Sequence, residues 1–314
     1  MDAIVTAGGI PRPEDPLYTY SHGDSKALID VAGKPMVQWV LDALGGSKRV
    51  DNVIVVGLSP KSGVTCKKPL YYVSNQGRML ANIVTGVNKV LEINPKAQYV
   101  LVVSSDIPTL KSEMVNWLVD TCMETKDDLY YGVCQRDVME ARFPDSKRTY
   151  THLKDMDVCG ADINLTHVRM ATEHLEMWES LIGSRKSPLK QAGIIGLGTL
   201  LALFTRRLTL EDAVQRVCER IGIKGRAIVW PHAEPCMDVD KPSQLELLRA
   251  DLEAQQARLR RQSTRARSTA RKTTKTTKPR VAAKAVKPKK TTSASKKAAA
   301  FKTPKAKVKA EEEI

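Results

Sequence analysis

The sequence predicts a Rossmann-like, three-layer α/β/α protein with a mostly parallel central sheet. Short apolar runs alternate with helical patterns through the first half of the chain, as in a parallel sheet covered by helices on both faces. Glycine or polar residues follow two of the expected strands, at the sheet edge where open α/β sheets bind ligands. The expected strands are 3–6, 53–57, 70–73, 99–103 and 129–133, and the helices between them are 36–44, 79–91 and 112–124.

The second half of the chain is predicted to be richer in helix. Ser187-Pro188 and Thr209, which two acidic residues follow, are typical helix starts because a capping residue precedes a proline or early acids. The expected elements are a strand at 158–165, helices near 169–182, 188–193, 199–204 and 210–221, a strand at 227–230, and a last helix from about 242 to beyond 259.

Charge divides the chain into a near-neutral body and a basic tail. Residues 258–314 carry 20 Lys and Arg against 3 acidic residues, whereas residues 1–257 carry 30 against 32. From residue 263 the composition shifts to Lys, Arg, Ala, Thr, Ser and Pro, which cannot bury enough apolar surface to offset the entropy of ordering. We therefore predict a folded domain over 1–262 and a disordered basic tail over 263–314, where prolines block any long helix.

Cysteine usage and hydropathy indicate the class of protein. The six cysteines form no Cys-x-x-Cys pair, so neither a zinc site nor a disulfide framework is expected. The N-terminal segment lacks the basic and apolar regions of a signal peptide. The most apolar run, 194–204, is far shorter than the roughly 20 residues that span a bilayer, and it is predicted to be a buried helix. These observations favour a soluble, cytoplasmic protein without a membrane span.

The most informative motif lies near the N-terminus. The strand at 3–6 leads into Ala7-Gly8-Gly9, and a polar loop then ends at Lys26. Backbone N–H groups of a glycine turn can approach a phosphate closely, and a downstream lysine can neutralise its charge. The motif indicates a nucleotide-binding site, although a tight turn of an unrelated α/β protein would have the same pattern.

Three fragments in this order, Ala7-Gly8-Gly9, Lys26-Ala27-Leu28 and Gly33-Lys34-Pro35, resemble the MobA-like NTP transferases. This nucleotidyltransferase family has a GT-A-like fold and contains molybdenum-cofactor guanylyltransferase and the sugar-phosphate nucleotidyltransferases. The resemblance implies Mg²⁺-dependent transfer of a nucleoside monophosphate from an NTP to a small phosphorylated acceptor, a sugar phosphate or a cofactor precursor, with release of pyrophosphate. It implies that Ala7, Gly8 and Gly9 bind the nucleotide and that Lys26 both binds it and is catalytic.

One position departs from the family pattern. Family members usually carry an arginine four residues after the second glycine, where this chain has Pro13, and Arg12 precedes it as the residue available for the triphosphate. This displacement favours an alternative, a non-catalytic nucleotide-binding protein that its basic tail tethers to nucleic acid. Retention of Lys26, Asp106 and Asp240 argues for catalysis.

Two acidic motifs are the expected Mg²⁺ ligands. Asp106 follows the strand at 99–103, so its carboxylate points into the crevice at the strand ends. By the same resemblance, the late Asp-Val-Asp-Lys-Pro motif completes the metal site, with Asp240 catalytic beside Asp106 and Asp238 as the alternate ligand. Asp238 and Asp240 lie two residues apart on an extended segment and project to the same side. Asp106 and Asp240 are also potential caps of the helices that follow them.

A loop before the expected helix at 79–91 is the candidate base and sugar site. The resemblance places Gln76, Gly77 and Asn82 beside the nucleotide, and the two amide side chains offer the paired donors and acceptors that base edges require. A turn followed by an exposed helix face explains the same residues. Ser104 and Ser105 are further candidates for the ribose or base.

The segment 159–165 is the candidate acceptor site. It resembles the strand at which these enzymes present backbone to the acceptor, so Gly160, Asp162 and Asn164 are acceptor-binding candidates. The five histidines have neither metal-ligand spacing nor a nucleophile partner, and we interpret them as surface or packing residues. Lys34 is either a solvated lysine of a first helical turn or a ligand.

The basic tail predicts a second kind of partner. Lysine-rich segments at 284–290 and 295–298 resemble the tails of linker histones and bacterial histone-like proteins. Many lysines without an ordered scaffold produce salt-dependent, sequence-independent attraction to a polyphosphate backbone. We expect non-specific binding to nucleic acid and association with the nucleoid, with a solubilising spacer as the alternative.

Overall fold

The computed structural model describes residues 1–173, 175 and 196–275, with side chains as far as 264. Contacts divide the chain into two units, Met1–Gln262 and Ser263–Ile314. The predicted helix at 188–193, most of the predicted helix at 169–182, and residues 276–314 of the predicted tail lie outside the described residues.

The described strands follow the predicted ones closely. In chain order they are β1 (Asp2–Thr6), β2 (Asp30–Val31), β3 (Lys34–Pro35), β4 (Val53–Val56), β5 (Leu70–Val73), β6 (Tyr99–Ser104), β7 (Leu129–Gln135), β8 (Thr151–His152), β9 (Asp157–Gly160), β10 (Ile163–His167) and β11 (Gly225–Trp230).

The helices begin close to the predicted positions. They are α1 (Tyr18–Ser21), α2 (Met36–Gly46), α3 (Met79–Ile93), α4 (Ser112–Cys122), α5 (Arg136–Arg142), α6 (Arg169–Thr172), α7 (Leu197–Phe204), α8 (Leu210–Ile221) and α9 (Pro242–Lys275), with 3₁₀ turns at Lys26–Leu28, Pro60–Ser62 and Glu234–Cys236. Thr209 caps α8 through a capping box with Asp212, as its sequence predicts. No helix among the described residues is both long and apolar enough to cross a membrane.

The central sheet confirms the predicted fold class. Its order is β5-β4-β1-β6-β10-β7-β9-β8, and β11 also pairs with β7. The pairs β5/β4, β4/β1, β1/β6 and β7/β11 are parallel, whereas β10 is antiparallel to both of its neighbours. The ends of β1 and β6 therefore meet at the same sheet edge, together with the start of β10.

Helices cover both faces of the sheet because successive strand residues point in opposite directions. On β1, Ala3 and Val5 belong to the apolar cluster that contains the buried face of α2 and α4. Ile4 between them packs in a second cluster with Val87 and Val90 of α3. Full burial of one such aliphatic side chain contributes about 1.5–3 kcal/mol. The two clusters hold the strand ends rigidly enough to position a site.

Three sequence predictions differ from the structure. The strand expected at 158–165 is two strands, β9 and β10, because its antiparallel pairing with β7 shifts by two residues between the pairs Gly160/Val133 and Leu165/Tyr130, which leaves 161–162 outside both strands. The prediction that 194–204 is a buried helix is wrong for α7, in which Leu197, Leu201 and Phe204 are 71%, 60% and 87% exposed and only one face packs. Helix α9 continues through Lys275, into the first residues of the predicted tail, because the Ala, Arg and Lys residues there favour helix.

Candidate active site

The turn after β1 places different steric demands on its two glycines. A Cβ on Gly8 would lie 2.6 Å from Oδ1 of Asn75 and 2.9 Å from Nδ2 of Asn82, whereas a Cβ on Gly9 would have no atom within 4 Å. Gly57 follows β4 with φ +107° and lies against the backbone of Gly8. A Cβ added to Gly57 would be 2.3 Å from Cα of Gly8. Gly8 is therefore required by the close approach of neighbouring segments.

Two asparagines fasten the loop before α3 to this turn. Nδ2 of Asn75 donates to the carbonyl of Gly8 at 2.7 Å, and Oδ1 of Asn75 accepts from N–H of Gly77 at 2.9 Å. Asn82 is buried; it donates to Oδ1 of Asn75 at 3.1 Å and accepts from N–H of Gln76 at 2.7 Å. Each polar group of Asn82 thus has a partner within the loop, and these bonds hold Gln76 and Gly77 beside the glycine turn.

Three carboxylates meet beyond the end of β6. One oxygen from each of Asp106, Asp238 and Asp240 lies within 4.8 Å of the others. The N–H of Val239 donates to the carbonyl of Asp106 at 3.1 Å, which fixes the late segment beside the strand end. Ser104 Oγ donates to Oδ1 of Asp106 at 2.5 Å and orients that carboxylate. The structure thus brings the two distant acidic motifs together; we call these three residues the carboxylate cluster.

Lys26 reaches the cluster because its 3₁₀ turn is fixed to the glycine turn. The hydroxyl of Ser25 donates to the carbonyl of Ala7 at 2.7 Å and accepts from the N–H of Ala27. The N–H of Lys26 itself donates to the carbonyl of Gly9 at 2.8 Å. The polar loop between Gly9 and Ser25 therefore returns to its starting point, and it places the lysine beside the turn.

The ammonium of Lys26 lies between two members of the cluster. Nζ is 2.7 Å from Oδ2 of Asp106 and 2.7 Å from Oδ1 of Asp240. Burial opposes the charged form, but attraction to Asp106 and then Asp240 outweighs it and raises the pKa of Lys26 above its ordinary value. For Asp240 burial likewise opposes ionisation, and the charge of Lys26 lowers its pKa. Lys26 therefore remains an ammonium in this position.

Arg148 contacts the cluster through its third member. Its Nη1 pairs with Asp238, and its Nη2 donates to the carbonyl of Gly160 at 3.2 Å and lies 3.9 Å from Oδ2 of Asp162. That oxygen of Asp162 has no hydrogen bond to any described residue. Burial, reinforced by the charge of Asp106, raises the pKa of Asp162 to about 7. The acceptor-side candidate Asp162 thus lies close to the cluster and is partly protonated near neutral pH.

The chemistry of the cluster fits a divalent cation. Lys26 and Arg148 contact the carboxyl groups and Lys241 acts on Asp240 through its charge, so the positive charge of the site is already engaged before a triphosphate arrives. Mg²⁺ prefers oxygen ligands and typically binds one or two carboxylates, waters and substrate phosphates. The residues that would hold it are Asp106, Asp240 and Asp238.

A cavity of about 240 Å³ opens beside the cluster and is lined by Lys26, Asp240 and the loop Gly9, Ile10, Pro11, Asp15, Pro16 and Leu17. Arg12 does not line it: its N–H donates to Asp15 at 2.7 Å, while its side chain is 79% exposed and lies 4.0 Å from Glu14. A larger cavity, about 390 Å³, lies near the start of β6 at the opposite sheet edge; Asp128 lines it, and no member of the carboxylate cluster does.

Other predicted residues have structural partners. Asn164 accepts from N–H of Gly132 at 2.9 Å and donates to the carbonyl of Ala161, so its amide is used within the sheet. Ser105 is buried and donates its N–H to the carbonyl of Thr6, which ties the ends of β6 and β1 together. Lys34 pairs with Asp42 at 2.7 Å, away from the cluster.

Sequence reasoning missed two residues of this site. Asn75 was part of the loop motif but carried no assigned role, and its contacts depend on Gly8, which is 67 positions away. Arg148 lies in a loop between α5 and β8 with no motif around it. The positive charge of Arg148, in a segment with no predicted helix or strand, was the one available signal. Only the fold brings Arg148 to Asp238.

Comparison with known proteins agrees with this geometry. The MobA-like NTP transferase domain matches residues 3–186, more than half of the chain. The chain belongs to this family. The match includes the glycine turn, Lys26 and Asp106, and the expectation of an NTP transferase is confirmed.

Solved structures agree with the family assignment. A hypothetical transferase from Thermus thermophilus is 31% identical, covering 78% of this chain and 98% of its own, with a TM-score of 0.68. A CMP:2-keto-3-deoxy-manno-octonic acid synthetase complexed with CTP is 17% identical over 82% of this chain and 100% of its own, with a TM-score of 0.52. At that identity the second likeness shows the fold alone. No curated protein matches the chain.

Proposed function

We propose that this NTP transferase is Mg²⁺-dependent and transfers a nucleoside monophosphate from an NTP to a small phosphorylated acceptor, a sugar phosphate or a cofactor precursor, with release of pyrophosphate. The observation that carries the proposal is the convergence of Asp106, Asp238 and Asp240 beside the glycine turn. A protein that merely retained a nucleotide would gain nothing from three carboxylates next to the triphosphate.

The nucleotide side of the proposed reaction uses the residues around the glycine turn. Nucleotidyl transfer needs charge neutralisation and in-line alignment more than covalent help from the protein. The N–H groups of Gly8 and Gly9 line the triphosphate, and the ammonium of Lys26 neutralises part of its charge. When bound to Asp106 and Asp240, Mg²⁺ supplies further neutralisation of the phosphate oxygens.

The acceptor side of the proposed reaction lies beyond the end of β6. The backbone of Gly160 and the carboxyl of Asp162 border the cluster there, next to Arg148. A phosphorylated acceptor is already ionised at neutral pH, so its attack on the α-phosphorus requires no general base. The main task of this side is therefore to hold the acceptor oxygen in line with the leaving pyrophosphate.

The test is release of pyrophosphate by the full chain. Each of the common NTPs is incubated with a set of sugar phosphates and phosphorylated cofactor precursors, first with Mg²⁺ and then with EDTA. We expect release that depends on one acceptor class and stops with EDTA. Asp106→Asn serves as the inactive control, and Asp42→Asn, which removes an exposed carboxylate that pairs with Lys34, serves as the matched surface control.

The same assay separates the alternative function. Saturable NTP binding without release of pyrophosphate across the panel would favour a non-catalytic nucleotide-binding protein. The exposed position of Arg12, outside the cavity lining, is the observation that keeps this alternative open. Release with any acceptor excludes it.

For the basic tail we propose weak, non-specific binding to nucleic acid, which the charge of residues 258–314 supports. The full chain and a chain ending at Lys275, which retains all of α9, are titrated with duplex DNA at several salt concentrations. We expect the full chain to bind more tightly and to lose that advantage as salt rises. Equal binding by both chains would support a spacer instead.

A further inference from the structure

The carboxylate cluster already contains a cation, and it belongs to the protein. Nζ of Lys26 lies 2.7 Å from one oxygen of Asp106 and 2.7 Å from one oxygen of Asp240. Both residues are in the group whose oxygens lie within 4.8 Å of one another. Mg²⁺ binds carboxylate oxygens at about 2.0–2.1 Å. A metal that used these two oxygens would therefore occupy nearly the same space as the ammonium.

We infer that Lys26 is a built-in substitute for the divalent cation, so that metal can bind Asp106 and Asp240 only when Lys26 moves away from them. This inference rests on the proposed function for the identity of the cation. Lys26 then has a role before the reaction begins: its ammonium competes with the metal for the two carboxylates and so sets the affinity of the free enzyme for metal.

The surroundings allow the exchange. Lysine carries its charge on a flexible four-carbon stem, so the ammonium can move while the backbone stays fixed. The 3₁₀ turn holds the backbone of Lys26 through its bond to Gly9, and the cavity beside the cluster is lined by Lys26 itself. Movement into that cavity takes the ammonium toward the glycine turn, on the side where the triphosphate is proposed to bind.

Arg148 does not compete in the same way. Its guanidinium pairs with Asp238 and donates to the carbonyl of Gly160; it acts on Asp240 through its charge, but the contacts of the described residues include no ion pair or hydrogen bond from Arg148 to Asp106 or Asp240. The metal and Arg148 can therefore be present together, whereas the metal and Lys26 in its observed position cannot. A triphosphate that attracts the displaced ammonium would favour metal binding, so the two ligands should bind cooperatively.

The first test measures affinity for Mn²⁺ by electron paramagnetic resonance or calorimetry, without nucleotide. We expect Lys26→Met to bind Mn²⁺ about tenfold more tightly than the wild type, or better, because one competing positive charge is gone. Lys89→Met is the matched control: its ammonium also pairs with a carboxylate, Glu92, at 2.7 Å, and its affinity should equal that of the wild type. Asp106→Asn should weaken binding. Unchanged or weaker binding by Lys26→Met, or no Mn²⁺ binding by any variant, overturns the inference.

A second test makes its measurement on the wild-type sequence and uses Lys26→Met only to assign one signal. Lysines are labelled with ¹³C and ¹⁵N during expression, which leaves every ammonium unchanged, and their side-chain NMR signals are followed during addition of Mg²⁺. The Lys26 signal, assigned by its loss in Lys26→Met, should shift as Mg²⁺ saturates, while the Lys89 signal should not. A Lys26 signal that stays fixed while Mg²⁺ binds overturns the inference. Pyrophosphate release by the wild type tests the proposed function separately, because neither binding test requires turnover.

Discussion

Gly8→Ala should open the nucleotide loop while leaving the sheet intact. The new Cβ would lie 2.6 Å from Oδ1 and 2.8 Å from Cγ of Asn75, distances at which one group must move. The side chain of Asn75 is the group free to do so, and its movement breaks three hydrogen bonds of 2.7, 2.9 and 3.1 Å. At about 1 kcal/mol net for each bond, the loss is roughly 2–3 kcal/mol.

The assay for this prediction combines thermal unfolding with NTP binding. For a domain of this size 1 kcal/mol corresponds to about 2–4 °C in Tm, so we expect a fall of roughly 5–10 °C. We also expect NTP affinity to fall about tenfold or more, because the loop with Gln76 and Gly77 loses its attachment. Gly9→Ala is the adjacent control for stability, since its Cβ meets no atom within 4 Å. If Gly8→Ala melts like Gly9→Ala and binds NTP like the wild type, the steric reasoning is refuted.

Four further outcomes follow from the structure. Asp106→Asn should reduce pyrophosphate release about 100-fold or more with little change in Tm, and an unchanged rate would remove this residue from the site. Arg148→Ala should destabilise the fold by about 3–5 kcal/mol in urea unfolding because it leaves Asp238 unpaired, and Arg148→Lys should recover part of the loss. Gly57→Ala should cost more stability than Gly8→Ala, because its Cβ would meet backbone at 2.3 Å and its φ is +107°. Burial tends to raise the pKa of Asp128, but the N–H of Lys224 and the guanidinium of Arg169 lower it below its ordinary value. The ionised carboxylate therefore stabilises the fold above about pH 4, and this stabilisation disappears as the pH falls further. The loss of unfolding free energy caused by Asp128→Asn should accordingly become smaller at acidic pH.

Much of the fold was predictable because its signals are local. The strand at 99–103 and the helix at 112–124 follow from hydrophobic periodicity, and β6 and α4 appear at those positions. The pairing of Asp106 with Asp240 was predictable in another way, from motifs that resemble a family. The roles of these residues in metal binding and catalysis remain predictions, since geometry alone does not test them.

What the sequence could not predict depends on contacts between distant segments. Cys134 and Cys159 appear scattered along the chain, yet they are direct partners across β7 and β9, and the thiol of Cys159 lies 3.7 Å from the carbonyl of Cys134. The exposure of α7 was hidden for a similar reason, because a helix that is apolar on all sides does not reveal which side has a partner. The break between β9 and β10 follows from a two-residue shift in their pairing with β7, which periodicity does not encode.

The order of strands also determines when this sheet can be completed during synthesis. Strand β10 separates β6 from β7, although β7 follows β6 in the chain. Until residues 163–167 leave the ribosome, the outer edge of β6 has unpaired backbone groups available to any other extended segment. The same residues bring Asp162 to the site through the bond from N–H of Ser104 to its carbonyl. A nascent chain shorter than this therefore leaves the edge of β6 uncovered and lacks the acceptor-side residue Asp162, whereas the carboxylate cluster forms only after Asp238 and Asp240 have also been made.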